Sequence, residues 1–363
     1  MSCPMEFTKR DTKILKGIAI CLMLCHHLFT FPERLDGVGF VSVPFINGMS
    51  FAMCMGQFGK LCVALFTLLG GYGAYLSCTR TGGEERFTAR HLRSLYGAYW
   101  RVFVLAVPIS LLLRQAHGSP FMEDLIYCFL GLRFTYCNEW WFITPFALLT
   151  VGFPLVRRFA DRKNASPEGS FLWLIGGNAV IYYVLPRVME LPLLSAFAGT
   201  VFWTELYTTL TLLPAYAMGV LMAKYGLLSA AKALCARRRS LCCAAAVVVL
   251  AALIYIHPFN WLAYDFINAA VFIPCALALL STRLGAFIAP VLERLGEEST
   301  SMWLIHALLC YHWCQKLIYA PKYAPLIFLW LLALSYAAAR LVRLLYSIPA
   351  RLRAARVKGS AAK

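Results

Sequence analysis

The segment Lys16-Gly17-Ile18-Ala19-Ile20-Cys21-Leu22-Met23-Leu24-Cys25-His26-His27 puts one cation and two imidazoles into a single apolar run. Ionisable groups within membrane-length apolar segments are costly, which makes them functional candidates by default. Lys16 and His27 are eleven steps apart. At ~100° and ~1.5 Å per residue, the helix returns to within ~20° of the same face, ~16 Å further along. Lys16 and His27 therefore share a face, and His26 does not. A basic group at one membrane edge and an imidazole deep on the same face suit an anionic cofactor whose reactive end reaches into the bilayer. The plainer account is that the histidines hydrogen-bond neighbouring helices.

Four further groups could carry chemistry. Arg90 and Arg93 lie at i and i+3, on one side of a helix entering an apolar span, and guanidinium forks match phosphate oxygens. The alternative is that both anchor the loop by charge. Glu139, just ahead of Trp140-Trp141, could bind acceptor hydroxyls or orient His27, or it could sit solvated beside an aromatic belt. Asp265 and Glu205 read as solvated groups at span ends. His306, Cys310 and Cys314, at i, i+4 and i+8, form a conceivable soft-metal face, but helix contact explains them as well, and no metal is assigned.

The elements that must position these residues are membrane helices. Of 363 residues, 61% are hydrophobic and 14% charged, with a mean hydropathy of +0.68; a soluble domain carries nearer a quarter charged. Apolar runs of about 16 to 22 residues recur along the chain, each able to cross a core of roughly 30 Å. We place ten spans: 14–31, 58–77, 95–113, 141–156, 171–185, 204–223, 241–256, 262–280, 302–319 and 324–345. The stretch from Phe121 to Phe134 is short, opens on Glu123-Asp124 and carries Arg133, so it reads as an interfacial or re-entrant helix.

The expected fold is thus an all-α polytopic membrane bundle of about ten transmembrane helices with cytosolic N- and C-termini. In this frame most of the 34 Lys and Arg residues fall on one side: at the N-terminus, in the loops around Arg90, Arg158 and Arg238, and after Arg340. That asymmetry is the form the positive-inside rule takes. It also accounts for the net charge of +17 without nucleic acid. The 14 cysteines lack a paired C-x-x-C and read as small hydrophobes rather than a disulfide framework. The first apolar run has no small-residue cleavage site before Pro32, so it is an uncleaved span. Residues 1–346 form one membrane domain, and 347–363 form a basic cytosolic tail suited to anionic lipid.

On these residues the chain resembles the acyltransferase-3 family of integral membrane acyltransferases. Lys16-Gly17-Ile18-Ala19 with His27 is similar to that family's first helix, which reads Arg-Gly-Ile-Ala with a His eleven residues after the Arg. Phe66-Thr67-Leu68-Leu69-Gly70-Gly71-Tyr72 is similar to its Ser-Gly-Tyr ending of span two, and Arg90-His91-Leu92-Arg93 to its Arg-x-x-Arg. Trp140-Trp141-Phe142-Ile143 with Pro154, and Ser301-Met302-Trp303-Leu304-Ile305-His306, match later segments in order. Two positions depart: Lys16 replaces an Arg, losing bidentate geometry, and Gly70 replaces a Ser.

The resemblance implies transfer of an acyl group, commonly acetyl, from cytosolic acyl-coenzyme A to a hydroxyl of a sugar or cell-envelope polymer, in a membrane of the bacterial inner type. His27 would be the base that takes the acceptor's proton, or an acyl relay; Glu139 joins it as a catalytic candidate on its own sequence position, not through the resemblance. Lys16, Arg90 and Arg93 would hold the donor's phosphates. The competing classes are a secondary transporter, whose paired halves are not visible here, and a non-catalytic membrane sensor.

Overall fold

The computed structural model describes residues 6–46, 48–81, 83–113, 122–163, 165–257 and 262–361, with side chains left undescribed at 80, 81, 122, 123, 262 and beyond 347. Phe121 and the side chains of Glu123 and of the basic tail therefore lie outside what is described.

The described chain is almost entirely helical. In order, α1 spans Lys9–Phe29, α2 Phe51–Gly59, α3 Leu61–Thr81, α4 Glu84–Leu112, α5 Met122–Phe129 and α6 Ile143–Ala160. Then come α7 Pro167–Ala179, α8 Leu185–Met189, α9 Pro192–Ala198, α10 Val201–Lys224, α11 Leu227–Arg237 and α12 Arg239–Ile256. The last four are α13 Asp265–Leu280, α14 Arg283–Ala307, α15 Gln315–Tyr319 and α16 Ala324–Ala361. A two-stranded hairpin, Pro44–Ile46 with Met49–Ser50, precedes α2.

Local chemistry sets several helix starts. Thr8 and Asp11 form a capping box on α1, satisfying amides that would otherwise be orphaned. Ser50, Ser166 and Thr200 cap α2, α7 and α10 through their hydroxyls. The Ser50 cap starts the second span seven residues before the expected Phe58, and a break at Lys60 divides it into α2 and α3.

Eight described helical segments are long and apolar enough to cross a membrane, nine if the bent pair Asp265–Leu280 and Arg283–Trp313 counts as one. Those two helices meet at 115°, where the sequence reading places separate eighth and ninth spans. The 16 residues of α13 reach only ~24 Å, and α14 carries Glu293, Arg294, Glu297 and Glu298 ahead of its apolar half. Large apolar side chains face outward: Leu172, Phe287 and Leu193 are 68%, 81% and 91% exposed, as lipid contact requires.

The chain divides into two compact units. The first comprises Met1–Thr30, Val43–Leu95 and Trp141–Glu297; the second comprises Phe31–Ser42, Tyr96–Trp140 and Glu298–Lys363. In the first, α3 runs against α10. A Cβ on Gly71 would overlap the carbonyl oxygen of Tyr216, and one on Gly219 that of Leu68. The glycines thus let two backbones touch, the small-residue packing of membrane helices. Gly17 likewise admits the Leu292 carbonyl, and Gly296 that of Lys13, so the motif glycine beside Lys16 serves the approach of α14 to α1. A Cβ at Gly70 would come within 2.7 Å of the Phe146 ring; here an aromatic ring occupies the space a serine side chain would need.

In the second unit, two sequence segments clasp each other. The Trp140 indole donates to the Leu304 carbonyl at 2.8 Å, and the Trp303 indole donates to the Glu139 carbonyl at 3.1 Å. Val41 joins Tyr323 in a short parallel bridge, with Val41 N donating to Lys322 O at 2.7 Å.

Candidate active site

A cavity of about 650 Å³ opens in the first unit, where the N-terminal turns of α1 meet α3 and the start of α4. This is within the range of sites for sizeable ligands. Lys9, Thr12 and Lys13 of α1, Tyr72 and Ser77 of α3, and Phe87, Arg90 and His91 of α4 line it, with Glu6 as its acid.

The first helix is anchored there on several sides. Phe7 packs edge-on against Tyr72 at 5.1 Å, and its amide donates to the Ser229 hydroxyl at 3.1 Å. Asp11 pairs with Lys232 at 2.7 Å, and Arg10 with Glu293 at 2.8 Å. Lys13 pairs with Glu297 at 2.6 Å, with Glu293 at 4.0 Å. Among the described residues, Lys9, Lys16, Arg90 and Arg93 make no ion pair. The cavity's free positive charge is therefore that of Lys9 and Arg90, facing the single acid Glu6.

Of the two expected arginines, Arg90 alone lines the cavity. The cavity face of α4 is Phe87-Arg90-His91, at i, i+3 and i+4. Arg93 lies ~60° from Arg90 on its far flank and is exposed to solvent. Lys16 is half-buried and is not among the lining residues. It continues the Lys9-Thr12-Lys13 face one turn deeper, and five turns separate Lys9 from His27 on that face. Lys9 and Lys13 are the cationic groups that the sequence reading treated only as orientation signals. Their i, i+4 spacing, with Thr12 between, was the available hint.

The paired histidines divide as the helical phase requires. His26 is buried, with Nδ1 at 3.0 Å from the Gly56 carbonyl and 3.1 Å from the Thr30 hydroxyl. It ties α1 to α2, where Gly59 also admits the Leu22 carbonyl. His27 is half-buried, its ring edge-on to His26 at 5.2 Å.

Glu139 belongs to the second unit and is not solvated. It is 6% exposed and takes the Arg34 guanidinium at 2.9 Å, with Cys137 Sγ at 3.5 Å and His312 Nε2 at 3.8 Å. Burial and the neighbouring carboxylate both push the Cys137 thiol well above its ordinary pKa. The potential ligand atoms of Cys137, Glu139 and His312 lie within 4.8 Å of one another, but Arg34 already balances the carboxylate's charge. The soft-metal face read at His306, Cys310 and Cys314 does not form one face, because a π-helical turn, Leu308–Trp313, intervenes. His306 is instead buried with Nδ1 on the Trp303 carbonyl at 2.6 Å. Asp265 is also no rim group: it is held by His257 at 3.1 Å.

The first unit thus presents a cationic cavity at the start of the same helix that carries an imidazole on the same face deeper along it. A cavity lined by cations attracts an anion, and the imidazole lies ~21 Å further along the helix than Lys13. No curated protein and no solved structure matches the chain. A family model described as an acyltransferase domain matches residues 12–342, which takes in the cavity helices, both histidines and Glu139, and the chain accordingly belongs to the acyltransferase-3 family of membrane acyltransferases.

Proposed function

We propose that this multi-pass membrane protein moves an acyl group, acetyl in the simplest case, from cytosolic acyl-coenzyme A to a hydroxyl of a sugar or envelope polymer in a bacterial-type inner membrane. The observation that carries this reading is the alignment of the cationic cavity, Lys16 and His27 along one face of α1. Coenzyme A has its phosphates at one end and its thioester at the end of an extended arm. A donor with its phosphates on Arg90 and Lys9, and Lys16 about two turns beyond Lys9, would have its thioester directed towards His27, ~16 Å beyond Lys16.

The neutral imidazole of His27 would take the acceptor hydroxyl's proton as its oxygen attacks the thioester carbonyl. Collapse of the tetrahedral adduct breaks the carbon–sulfur bond, and the imidazolium returns its proton to the departing thiolate. In the relay variant, the His27 nitrogen attacks the thioester and expels the thiolate, which takes the ring N–H proton; the hydroxyl then attacks the acyl-imidazole, and its proton goes to the released imidazole nitrogen. Arg93, outside the cavity, would contribute long-range attraction rather than a phosphate contact. Glu139 remains the second acid–base group of this proposal, and Glu139→Gln, which keeps its shape and removes its charge, addresses it directly.

The test is incorporation of label from [14C]acetyl-coenzyme A by membranes containing the full chain. His27→Ala abolishes transfer while the protein still accumulates. His26→Ala lowers stability, through its lost bonds to Gly56 and Thr30, and retains transfer. Equal activity of His27→Ala and the parent overturns the proposal.

A further inference from the structure

A second cavity, about 220 Å³, lies within the first unit and shares no lining residue with the cationic one. Its polar wall comes from four stretches distant in sequence. Lys60 stands at the break between α2 and α3, and Asn178 in the last turn of α7. Tyr182 lies on the π-helical continuation of α7, Thr211 in the middle of α10, and Asp265 at the first position of α13. Trp141 supplies an aromatic wall. A helix break, a π-helical segment and a helix start thus converge on one small polar space. Interruptions of this kind in membrane helices are tolerated where they line a cavity, and often mark function.

The polar groups have unused capacity. Asn178 is 5% exposed; its Nδ2 donates to the Ala263 carbonyl at 2.9 Å, and its Oδ1 accepts from no group among the described residues. Asp265 uses Oδ1 for His257 Nε2 at 3.1 Å and Asn268 Nδ2 at 3.3 Å, while Oδ2 has no partner among the described residues. Lys60 makes no ion pair among them, and Asp265 is not within salt-bridge distance of it although both line the same space. Leaving such groups unmatched is expensive in a membrane interior.

The pattern of unmet partners defines the ligand. One ammonium can donate, and one carboxylate oxygen and one amide oxygen can accept. A carboxylate or phosphate ligand would satisfy Lys60 and meet two acceptors with no hydrogen to give them. A simple cation would satisfy the acceptors and face Lys60. Hydroxyl groups both donate and accept, so a polyol satisfies all three. The volume corresponds to about seven waters at ~30 Å³ each, room for one ring rather than an oligosaccharide. We infer that this cavity binds a single sugar ring, with Lys60 donating to its hydroxyls, Asp265 and Asn178 accepting from them, and Trp141 against the ring. That this ring belongs to the acyl acceptor rests on the acyl-transfer reading; that the cavity takes a sugar does not.

The test uses the full chain in phospholipid nanodiscs with tritiated octyl β-glucoside, below its micellar concentration, as the probe. The parent should bind it saturably and release it to excess glucose. Lys60→Met and Asn178→Leu should each raise half-saturation at least tenfold, and Arg90→Ala should leave it unchanged. Leu212→Trp, which fills the cavity without removing a polar group, should abolish binding and serves where a charge variant fails to fold. Absence of saturable binding by the parent, or equal binding by Lys60→Met, Asn178→Leu and Leu212→Trp, overturns the inference. Coenzyme A release from acetyl-coenzyme A, measured on the same preparation, separates the two readings. Loss of release with glucoside binding intact removes acyl transfer and leaves the sugar site standing.

Discussion

Arg90 is the most informative residue to change, because the structure separates it from an arginine three residues away. In the cationic cavity Lys13 is already paired with Glu297 at 2.6 Å, so Arg90 and Lys9 supply the free charge. A hydrogen bond to a charged group contributes roughly 1.5–3 kcal/mol. Arg90 is exposed, and solvent screening puts its contribution at the lower end, about 1.5 kcal/mol. Arg90→Ala should therefore raise the KM for acetyl-coenzyme A about tenfold with kcat nearly unchanged, since the phosphates are remote from the reacting carbon. Arg90→Lys, which keeps a charge but loses the fork, should recover part of that. Arg93→Ala, off the cavity face, should change the KM by no more than about twofold, the size of a screened long-range interaction. Initial rates of thiol release in proteoliposomes, over a range of donor concentrations and two ionic strengths, give both numbers. An Arg93→Ala effect equal to or larger than that of Arg90→Ala would refute the assignment of the cavity to the donor. So would an Arg90→Ala effect confined to kcat.

Three further outcomes follow from packing and topology. Gly219→Val should unfold the α3–α10 contact, because a side chain there meets the Leu68 backbone, whereas Gly176→Ala, with nothing within 4 Å, should be neutral; yield and thermal unfolding in detergent compare them. Glu298 is 3% exposed with Arg343 at 2.8 Å and Arg340 at 3.7 Å, yet both arginines are half-exposed and can rehydrate, so Glu298→Ala should cost about 1–2 kcal/mol rather than the 3–5 of a fully buried pair, read as a fall in unfolding midpoint. Cysteines placed at Lys163 and Arg238 should label from the cytosolic side and those at Lys322 and Glu190 from the other; labelling of 163 and 322 from one side would break the orientation expected from the basic loops.

The helices themselves were written in the sequence. Apolar runs separated by basic loops leave a membrane chain no other way to satisfy its backbone, and the phase of Lys16, His26 and His27 along α1 follows from 3.6 residues per turn alone. The membership of the family was legible for the same reason, since its motifs are local strings. Periodicity also carried half of the Arg90–Arg93 reading: it gave their shared side, but not that the cavity lies on the flank where Phe87 and His91 point.

What local pattern could not supply is partnership between distant segments. Lys13 looks like any cytosolic lysine until α14, admitted by Gly17 and Gly296, brings Glu297 to it. From the sequence Glu139 stands between a catalytic group and a solvated acid beside two tryptophans; the pairing with Arg34, 105 residues earlier, in a buried site is visible only in the fold. Asp265 and Asn178 are 87 positions apart, and Lys60 is further still, yet all three line one cavity. The bend of 115° after Leu280 and the π-helical turns at 180–184 and 308–313 shift faces that a regular 3.6-residue repeat would predict. Each of these depends on which backbones approach closely enough to touch, and that is settled by the packing of whole helices rather than by any one segment's composition.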